Sequence, residues 1–235
     1  MIKLTGIPKS EDLVIYHSPI PYLFEPLYIK KSKYQTIEFG KFIDSYSNSS
    51  YALLLNKDVQ FVTPWEKIYH FALVDKAIRY LKRKPKRVLI LGGGDGLAIR
   101  NVLKYNPDEV ILIEIDKDVV NLFKYGTIPR KINKNAFWNR KVKVIIGDAF
   151  KAPYLGLGKF DLIIVDLTDP DKLSKHVYLK QIDFIEKLIK MLKKGGVLSA
   201  YNMPMLQYFS SIQPFKTNNI PYMGLLRIYY YKKEG

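Results

Sequence analysis

Cysteine is absent from the 235 residues, and histidine occurs only three times, at His17, His70 and His176. Without cysteine the chain has no disulfide, no thiolate nucleophile and no thiolate zinc site. No two of the histidines have the spacing of a metal-binding pair. We therefore expect no structural metal.

Long apolar runs are missing too. No segment approaches the length that spans a membrane, and the first eight residues lack the continuous apolar core of a signal peptide. We therefore expect a soluble protein of the cytoplasm without a membrane partner.

Acidic residues are scarce: 22 Asp and Glu stand against 38 Lys and Arg, which gives a net charge of +16. Such a surplus could neutralise the phosphates of a nucleic acid. The lysines are scattered, however, and the densest groups, residues 82–87 and 190–194, fall where predicted helices end. Cations there complement the helix dipole. We interpret the charge as a solvated surface and do not expect a nucleic-acid partner.

The first 65 residues are rich in predicted β-strands. Short apolar segments bounded by Pro, Gly, Asn and Ser lie at residues 13–16, 34–39 and 51–55. From Trp65 the spacing becomes helical, and the following apolar residues share one predicted face: Ile68, Phe71, Ala72, Val74, Ala77, Ile78 and Leu81. We predict a β-stranded domain over residues 1–65 and a second domain over residues 66–235.

The second domain alternates strands and helices. Strands rich in Val and Ile are predicted at residues 87–92, 109–115, 142–147, 160–166, 196–201 and 225–232. Helices are predicted at residues 96–105, 116–124 and 178–193. This order predicts an α/β fold with a mostly parallel, Rossmann-like sheet and helices on both faces, in which ligands bind beyond the carboxyl ends of the strands.

The turn Gly92-Gly-Gly-Asp-Gly96 follows the first strand of this sheet. Glycines there let a ligand approach the backbone, and the next helix offers free N–H groups and positive potential. The negative charge of Asp95 would repel an anionic ligand in this turn. It suits a ligand that presents a cation.

Carboxylates also end the following strands. Glu114 closes the second, Asp148 follows the third, and the fourth delivers Asp166 and then Asp169. Some of these acidic residues could instead cap the next helix, and Asp116 and Asp148 are placed to do so. The set as a whole predicts a ligand site.

With these motifs the chain resembles the polyamine aminopropyltransferases, the spermidine synthase family. The resemblance covers residues 26–196. It rests on Lys31-Ser-Lys-Tyr-Gln35, Val59-Gln60, Ile68-Tyr69-His70, Leu91-Gly-Gly-Gly-Asp-Gly96, Ile113-Glu-Ile-Asp116, Gly147-Asp-Ala149 and Asp166-Leu-Thr-Asp-Pro170.

The resemblance implies a small β-stranded domain ahead of a methyltransferase-like domain. It also implies transfer of the aminopropyl group of decarboxylated S-adenosylmethionine, a co-substrate, to an amine such as putrescine, with no bound prosthetic group. A homo-oligomer, dimer or tetramer, would be typical.

The family's functional positions carry over to this sequence in three groups. The catalytic residues would be Asp166, the proton acceptor, and Tyr69. The donor would be held by Gln35, Gly92, Gly94, Asp95, Glu114, Asp148 and Ala149, and the acceptor by Gln60, His70, Asp95, Asp166 and Asp169.

The acceptor side departs from the family pattern. Trp65 replaces one acidic residue, Phe71 stands where Glu is usual, and Asp171-Lys-Leu-Ser-Lys175 stands where a Gly-Pro segment is usual. The acceptor amine therefore stays open. Two alternatives also stay open: a methyltransferase that uses S-adenosylmethionine on the same fold, and a catalytically weakened or non-catalytic paralogue.

Overall fold

The computed structural model describes residues 22–44, 46–167, 175–201, 203, 215–220 and 224–234. The described residues divide into two compact units, one holding residues up to Lys67 together with 218–220 and 224–225, the other holding the remainder. The domain boundary after residue 65 stays a prediction. No helix among the described residues is long and apolar enough to cross a membrane.

The first unit contains a four-stranded antiparallel sheet. Its strands are β1 (Tyr22–Lys31), β2 (Thr36–Asp44), β3 (Ser49–Leu55) and β4 (Asp58–Val62), paired in that order. Phe42, Ala52, Leu54 and Val62 form its apolar core, and Trp65 packs against them. The strands predicted at residues 34–39 and 51–55 are present, and the one at 13–16 lies outside the described residues.

The second unit contains most of a seven-stranded sheet. Its strands are β5 (Arg87–Gly92), β6 (Glu109–Glu114), β7 (Val142–Ile146), β8 (Phe160–Asp166), β9 (Leu192–Tyr201), β10 (Phe215–Ile220) and β11 (Gly224–Lys232). They lie in the order β10-β11-β9-β8-β5-β6-β7. Strands β5 to β9 are parallel, and β11 pairs with β9 antiparallel. The predicted α/β fold class is confirmed.

The helices are α1 (Glu66–His70), α2 (Ala77–Leu81), α3 (Leu97–Leu103), α4 (Lys117–Tyr125), α5 (Pro129–Ile132) and α6 (Lys175–Met191). Alternate strand residues such as Leu89 and Ile163 pack with Phe184 and Leu188 of α6. Ser199, on β9, instead donates a hydrogen bond to the carbonyl of Leu73, in the helical segment between α1 and α2. Helical segments thus cover both faces of the sheet.

The start of β9 differs from the prediction. The sequence predicts a helix that ends at residue 193 and a strand that begins at Gly196. In the structure α6 ends at Met191, Leu192 already pairs with Phe160 of β8, and pairing resumes at Val197 opposite Leu162. The glycine pair Gly195-Gly196 therefore lies in an irregularity within the strand, where a positive φ of 69° at Gly195 is accommodated.

A buried carboxylate ties together the amino ends of the central strands. Asp161, at the start of β8, is 1% exposed. It accepts hydrogen bonds from the backbone N–H of Arg87 at 2.8 Å and from Lys193 Nζ at 3.0 Å, and it forms an ion pair with Arg83. Burial alone would raise the pKa of this carboxyl, but these hydrogen bonds outweigh it and lower the pKa to about 2.

This carboxylate predicts an acid-sensitive contribution to stability. The pKa of Asp161 is lower in the folded than in the unfolded chain, so its stabilisation is complete above about pH 4 and is lost as the pH falls toward 2. We expect Asp161→Asn to lower the free energy of unfolding at pH 7 by about 2 kcal/mol or more. The difference from the wild type should shrink below about pH 4.

Denaturant unfolding between pH 7 and pH 2 measures the loss of free energy of unfolding in Asp161→Asn and its dependence on pH. Asp183→Asn is the matched control, because Asp183 forms an exposed ion pair with Lys187 on α6. That control should change stability by under about 1 kcal/mol at any pH. An Asp161→Asn deficit that persists undiminished at pH 2 would contradict the assignment.

Candidate active site

The carboxyl ends of four neighbouring strands form one row. Gly92 of β5 pairs in register with Asp166 of β8. On one side, Leu91 pairs with Ile113, which places Glu114 of β6 beside Gly92. On the other side, Val165 pairs with Ala200, which places Tyr201 of β9 beside Asp166. Neighbouring strands are about 4.8 Å apart, so these side chains share one short edge of the sheet.

The glycine turn lies against two of these carboxylates. Gly92 has a φ of +80°, and a Cβ atom there would be 2.2 Å from the carbonyl oxygen of Asp166. A Cβ atom at Gly94 would be 2.9 Å from Cγ of Glu114. Only glycine leaves room for both carboxylate residues to approach the turn.

Asp95 is held in the turn by the start of α3. Its Oδ1 accepts a hydrogen bond of 2.8 Å from the backbone N–H of Leu97, the first residue of that helix. Its carbonyl accepts a hydrogen bond of 3.0 Å from the side chain of Asn133, which is fully buried. The carboxylate thus stabilises the helix terminus, and its orientation is fixed before any ligand binds.

Glu114 is oriented by backbone donors. Its Oε2 accepts from Gly94 N–H at 3.1 Å and its Oε1 from Asp116 N–H at 2.9 Å. Burial raises the pKa of Glu114 to about 7, although these backbone N–H groups act in the opposite direction. The carboxyl is therefore desolvated and fixed against the glycine turn.

Asp166 is paired with an aromatic hydroxyl. The hydroxyl of Tyr69, at the end of α1, donates a hydrogen bond to Asp166 Oδ1. Burial raises the pKa of Asp166, while the charge of His70 and the Tyr69 hydrogen bond lower it, and burial prevails. Burial and the charge of Asp166 raise the pKa of Tyr69 well above its usual 10, so this tyrosine stays a donor. Asp95 also raises the pKa of Tyr69, which places the two carboxylates within electrostatic range of one hydroxyl.

A π-helical segment, Phe71–Lys76, positions Tyr69 and His70. It lies between α1 and α2, so the helix predicted from Trp65 to Leu81 is not regular. The carbonyls of Ala72 and Leu73 accept hydrogen bonds of 2.6 and 2.7 Å from side chains of the sheet, Tyr230 and Ser199. These contacts anchor the segment, and π-helical turns are frequent at functional sites.

The predicted apolar face is partly wrong, and the π-helical segment accounts for the buried Leu73 and Asp75 but not for the exposed Ile68, which precedes it. Ile68 and Phe71 are 45% and 37% exposed, whereas Leu73 and the acidic Asp75 are buried. A π turn holds more residues than an α turn, so it rotates the side chains that follow. Asp75 accepts hydrogen bonds from Asn101 of α3 at 2.7 Å and from Tyr105 at 2.8 Å. In the sequence, the acidic Asp75 within an otherwise apolar helical pattern is the feature from which this departure from a regular helix could have been predicted.

Two of the acidic residues cap helices, as the sequence suggested. Asp116 accepts a hydrogen bond from Asp118 N–H at 3.0 Å at the start of α4. Asp148 accepts one from Phe150 N–H at 2.9 Å and caps the short 3₁₀ helix Ala149–Tyr154. Gly147 N–H donates to the carbonyl of Glu114 at 2.9 Å, so Asp148 and the buried Ala149 follow directly on the same edge of the sheet.

Two further predicted site residues lie in the first unit, and one lies outside the described residues. Gln35 precedes β2, and Gln60 lies on β4, where its side chain donates to the carbonyl of Asp58. Both belong to the first unit. Asp169, like the altered positions Asp171 and Leu173, lies outside the described residues. Of the other altered positions, Trp65 lies in the first unit and Phe71 in the second.

Tyr201 belongs to the site, although it is not among the residues predicted from the sequence. Its ring meets that of Tyr69 edge to face, with centroids 5.7 Å apart. It is partly exposed, and its phenol contributes to the raised pKa of Tyr69. Tyr201 directly follows the apolar run of a predicted strand, and this position could have predicted that it belongs to the site.

The arrangement can bind a cationic nucleoside and accept a proton. Asp95 lies in the glycine turn beside the start of α3, Asp166 lies against that turn, and Glu114 lies in the same row. Among the described residues, no group of three or more His, Asp or Glu side chains is arranged to hold a metal ion.

Comparisons with known proteins show which family the chain belongs to. The family model described as "Spermine/spermidine synthase domain" matches residues 39–224. The chain is 36% identical over 186 residues to polyamine aminopropyltransferase 2 of Aquifex aeolicus, covering 79% of this chain and 36% of that protein. It is 34% identical over 177 residues to a polyamine aminopropyltransferase of Saccharolobus islandicus, covering 74% and 57%. The chain thus spans between about a third and somewhat over half of the length of these relatives.

Solved structures show the same fold. Spermidine synthase from Thermotoga maritima superposes with a TM-score of 0.68 at 22% identity, covering 88% of this chain and 72% of that one. A spermidine synthase in complex with the transition-state analogue AdoDATO gives the same TM-score at 24% identity, covering 88% and 73%. Together with the family model, which matches most of the chain, these likenesses lead to one conclusion: the chain belongs to the spermine/spermidine synthase family.

Proposed function

We propose that this chain transfers the aminopropyl group of decarboxylated S-adenosylmethionine to an amine and releases 5'-methylthioadenosine. The observation that carries the proposal is the pair of carboxylates beside the glycine turn, Asp95 and Asp166, the second held by Tyr69. The relatives with 34–36% identity are named polyamine aminopropyltransferases, which supports the same reaction. A spermidine synthase of the same fold is bound to a transition-state analogue, AdoDATO.

The donor would lie along the row of strand ends. Glu114 would accept hydrogen bonds from the ribose hydroxyls, since its oxygens are oriented by the turn and by Asp116 N–H. Asp148 and Ala149 would contact the adenine, and Asp95 would attract the ammonium of the aminopropyl group. Gln35 and Gln60 keep their proposed donor and acceptor roles. Intact S-adenosylmethionine carries a carboxylate near that ammonium, and Asp95 would repel it.

Asp166 would act on the acceptor. An amine is protonated at neutral pH because its pKa is near 10, and it must lose a proton before it can attack. The raised pKa of Asp166 makes it a better proton acceptor for such an amine than an ordinary carboxylate, and Tyr69 fixes its orientation. The amine nitrogen then forms a bond to the propyl carbon, the carbon–sulfur bond breaks, and its electron pair neutralises the sulfonium.

The acceptor would be a diamine or polyamine. Asp166 with Tyr69 would take the reacting nitrogen, and His70 and Asp169 would line the path of the remainder of the molecule. The proposed homo-oligomer, a dimer or tetramer, and the cytoplasmic location stay predictions.

The test is product analysis with the purified chain. Decarboxylated S-adenosylmethionine and a panel of putrescine, cadaverine, agmatine and spermidine should yield 5'-methylthioadenosine and one aminopropylated amine. Intact S-adenosylmethionine with the same amines should yield no methylated product. Formation of S-adenosylhomocysteine would instead indicate a methyltransferase. Tight donor binding without any product would indicate the non-catalytic paralogue.

A further inference from the structure

Cations that are distant in sequence gather at the edge of the large sheet where its parallel strands begin. Five lie in residues 82–87, just before β5, and Lys159 precedes β8. Three lie in residues 190–194, around the start of β9. Lys232 and Lys233 lie at the end of β11, which is antiparallel to β9 and so ends at this same edge. We call these eleven residues the basic edge.

The basic edge is contiguous. The Asp161 carboxylate binds both Arg83 and Lys193, which brings the loop before β5 to the start of β9. Arg87 Nη1 donates to the carbonyl of Lys159 at 2.9 Å. Lys233 exchanges backbone hydrogen bonds of 2.9–3.0 Å with the glycine pair of β9. Four separate segments of chain therefore form one surface.

Part of this charge has a structural use. Lys232 Nζ donates to the carbonyl of Tyr80 at 3.0 Å, near the end of α2, and Lys233 Nζ donates to Leu192 O at 3.0 Å, just after α6. Lys159 Nζ donates to the carbonyl of Lys190, near the end of α6. These hydrogen bonds satisfy carbonyl groups that have no partner within the helix because they lie at its carboxyl end. The sequence predicted this use of cations at helix ends. Helix ends therefore account for three of the cations.

The remaining charge exceeds what the local carboxylates neutralise. The basic edge contains or adjoins four acidic residues: Asp108, Glu109, Asp161 and Glu234. Eleven cations against four carboxylates leave an excess of seven positive charges, out of +16 for the whole chain. Four exposed lysines of the edge make no side-chain hydrogen bond or ion pair with any described residue: Lys82, Lys84, Lys86 and Lys194. Helix capping and ion pairing therefore leave these four unexplained.

Although the scattered lysines predicted a solvated surface and no nucleic-acid partner, we propose that the basic edge binds double-stranded nucleic acid through its phosphates, without reading its sequence. Contiguous lysines on a broad surface neutralise successive phosphates and release counterions. Single strands are usually held by stacking on exposed aromatic rings. Near this surface the exposed large apolar side chains are Tyr80, whose ring contacts Tyr230 at 4.9 Å, and Tyr154 and Leu155 in the segment before β8. Lys187 Nζ lies 5.2 Å from the centroid of the Tyr154 ring. The eleven cations outnumber these side chains, so the surface is better suited to phosphates than to base stacking or to insertion into a lipid surface.

The position of the basic edge leaves the candidate active site open. β5 and β8 are six and seven residues long, which at about 3.3 Å per residue separates their two ends by roughly 20 Å. A duplex on the basic edge would thus lie opposite Gly92 and Asp166. The proposal does not depend on the proposed aminopropyl transfer.

Fluorescence anisotropy with labelled duplexes of about 20 base pairs tests the proposal. We expect duplex RNA and duplex DNA of unrelated sequences to bind with similar dissociation constants, about 1–100 µM at physiological salt. Single strands should bind more weakly. The logarithm of the binding constant should fall linearly with the logarithm of salt concentration between roughly 50 and 200 mM.

A matched pair of variants locates the surface. The triple variant Lys82→Gln, Lys84→Gln, Lys86→Gln should weaken duplex binding at least about tenfold and reduce the salt slope by about 3. The control Arg130→Gln, Lys131→Gln, Lys134→Gln removes the same charge beside Asn133, at the opposite edge, and should leave the slope unchanged. Circular dichroism establishes that both variants are folded.

Three results would overturn the proposal. The first is no duplex binding by the wild type at about 100 µM protein and physiological salt. The second is equal weakening by the two triple variants, which would indicate attraction by net charge alone. The third is preference for another polyanion, with phosphatidylserine vesicles or polyglutamate displacing the duplex at lower charge concentration than unlabelled duplex does.

Discussion

Asp166→Asn should lower the rate of aminopropyl transfer by about 10²- to 10⁴-fold, the range in which a general base contributes. Asparagine keeps the shape of the side chain and still accepts the hydrogen bond from Tyr69, but it cannot take a proton from the amine. Asp166 acts on the acceptor, so donor affinity should stay within about tenfold of the wild type. Single-turnover kinetics with saturating amine, together with calorimetric donor binding, measure the two effects separately.

Two comparisons sharpen this prediction. Asp161→Asn makes the same substitution at the other end of β8, so it should lower stability and leave the rate per folded molecule unchanged. In the wild type, burial raises the pKa of Asp166, and only the deprotonated form accepts a proton. The rate should therefore rise as the pH rises through that pKa. Turnover in Asp166→Asn comparable to wild type would remove Asp166 from the catalytic role.

Asp95→Asn should remove most of the discrimination between decarboxylated and intact S-adenosylmethionine. We expect the wild type to prefer the decarboxylated form by roughly a hundredfold or more, because a like charge in a poorly hydrated site costs several kcal/mol. Asparagine retains an oxygen that can accept from Leu97 N–H, so the turn and the start of α3 should be preserved. The preference should fall to within about tenfold, chiefly because the variant no longer repels the carboxylate of intact S-adenosylmethionine.

Isothermal titration of both nucleosides into wild type and variant measures the ratio of affinities. Asp148→Asn is the control, since Asp148 also caps a helical turn but is assigned to the adenine, which the two nucleosides share. It should weaken both ligands alike and keep the ratio. An unchanged ratio in Asp95→Asn, or equal wild-type affinity for the two nucleosides, would show that Asp95 does not select the donor.

Features encoded by short-range patterns were predictable from the sequence. The strand over residues 87–92 and the strand over residues 160–166 have the predicted bounds, because buried parallel strands are continuous apolar runs with clear ends. The row of Glu114, Gly92 and Asp166 follows from the same patterns. Parallel strands end at one edge of a sheet, so residues that follow the apolar runs must meet.

Features decided by tertiary contacts were not predictable in the same way. The π-helical segment depends on the Ser199 and Tyr230 hydroxyl groups, which reach the carbonyls of Leu73 and Ala72 from strands more than a hundred residues away in sequence. The local sequence does not show those distant donors, so its apolar pattern alone predicts a regular helix. The basic edge is similar. Its lysines are scattered in sequence, and the strand order, with β11 beside β9, brings them together.

The environment of Glu114 has a consequence for any calorimetric experiment on this chain. A carboxyl whose pKa is about 7 is partly protonated in neutral buffer. A ligand whose hydroxyls donate to that carboxyl favours its ionised form, so donor binding would expel a fraction of a proton into the solvent. The buffer absorbs that proton with its own heat of ionisation. Enthalpies measured in phosphate and in Tris should therefore differ, and the difference between them counts the protons released.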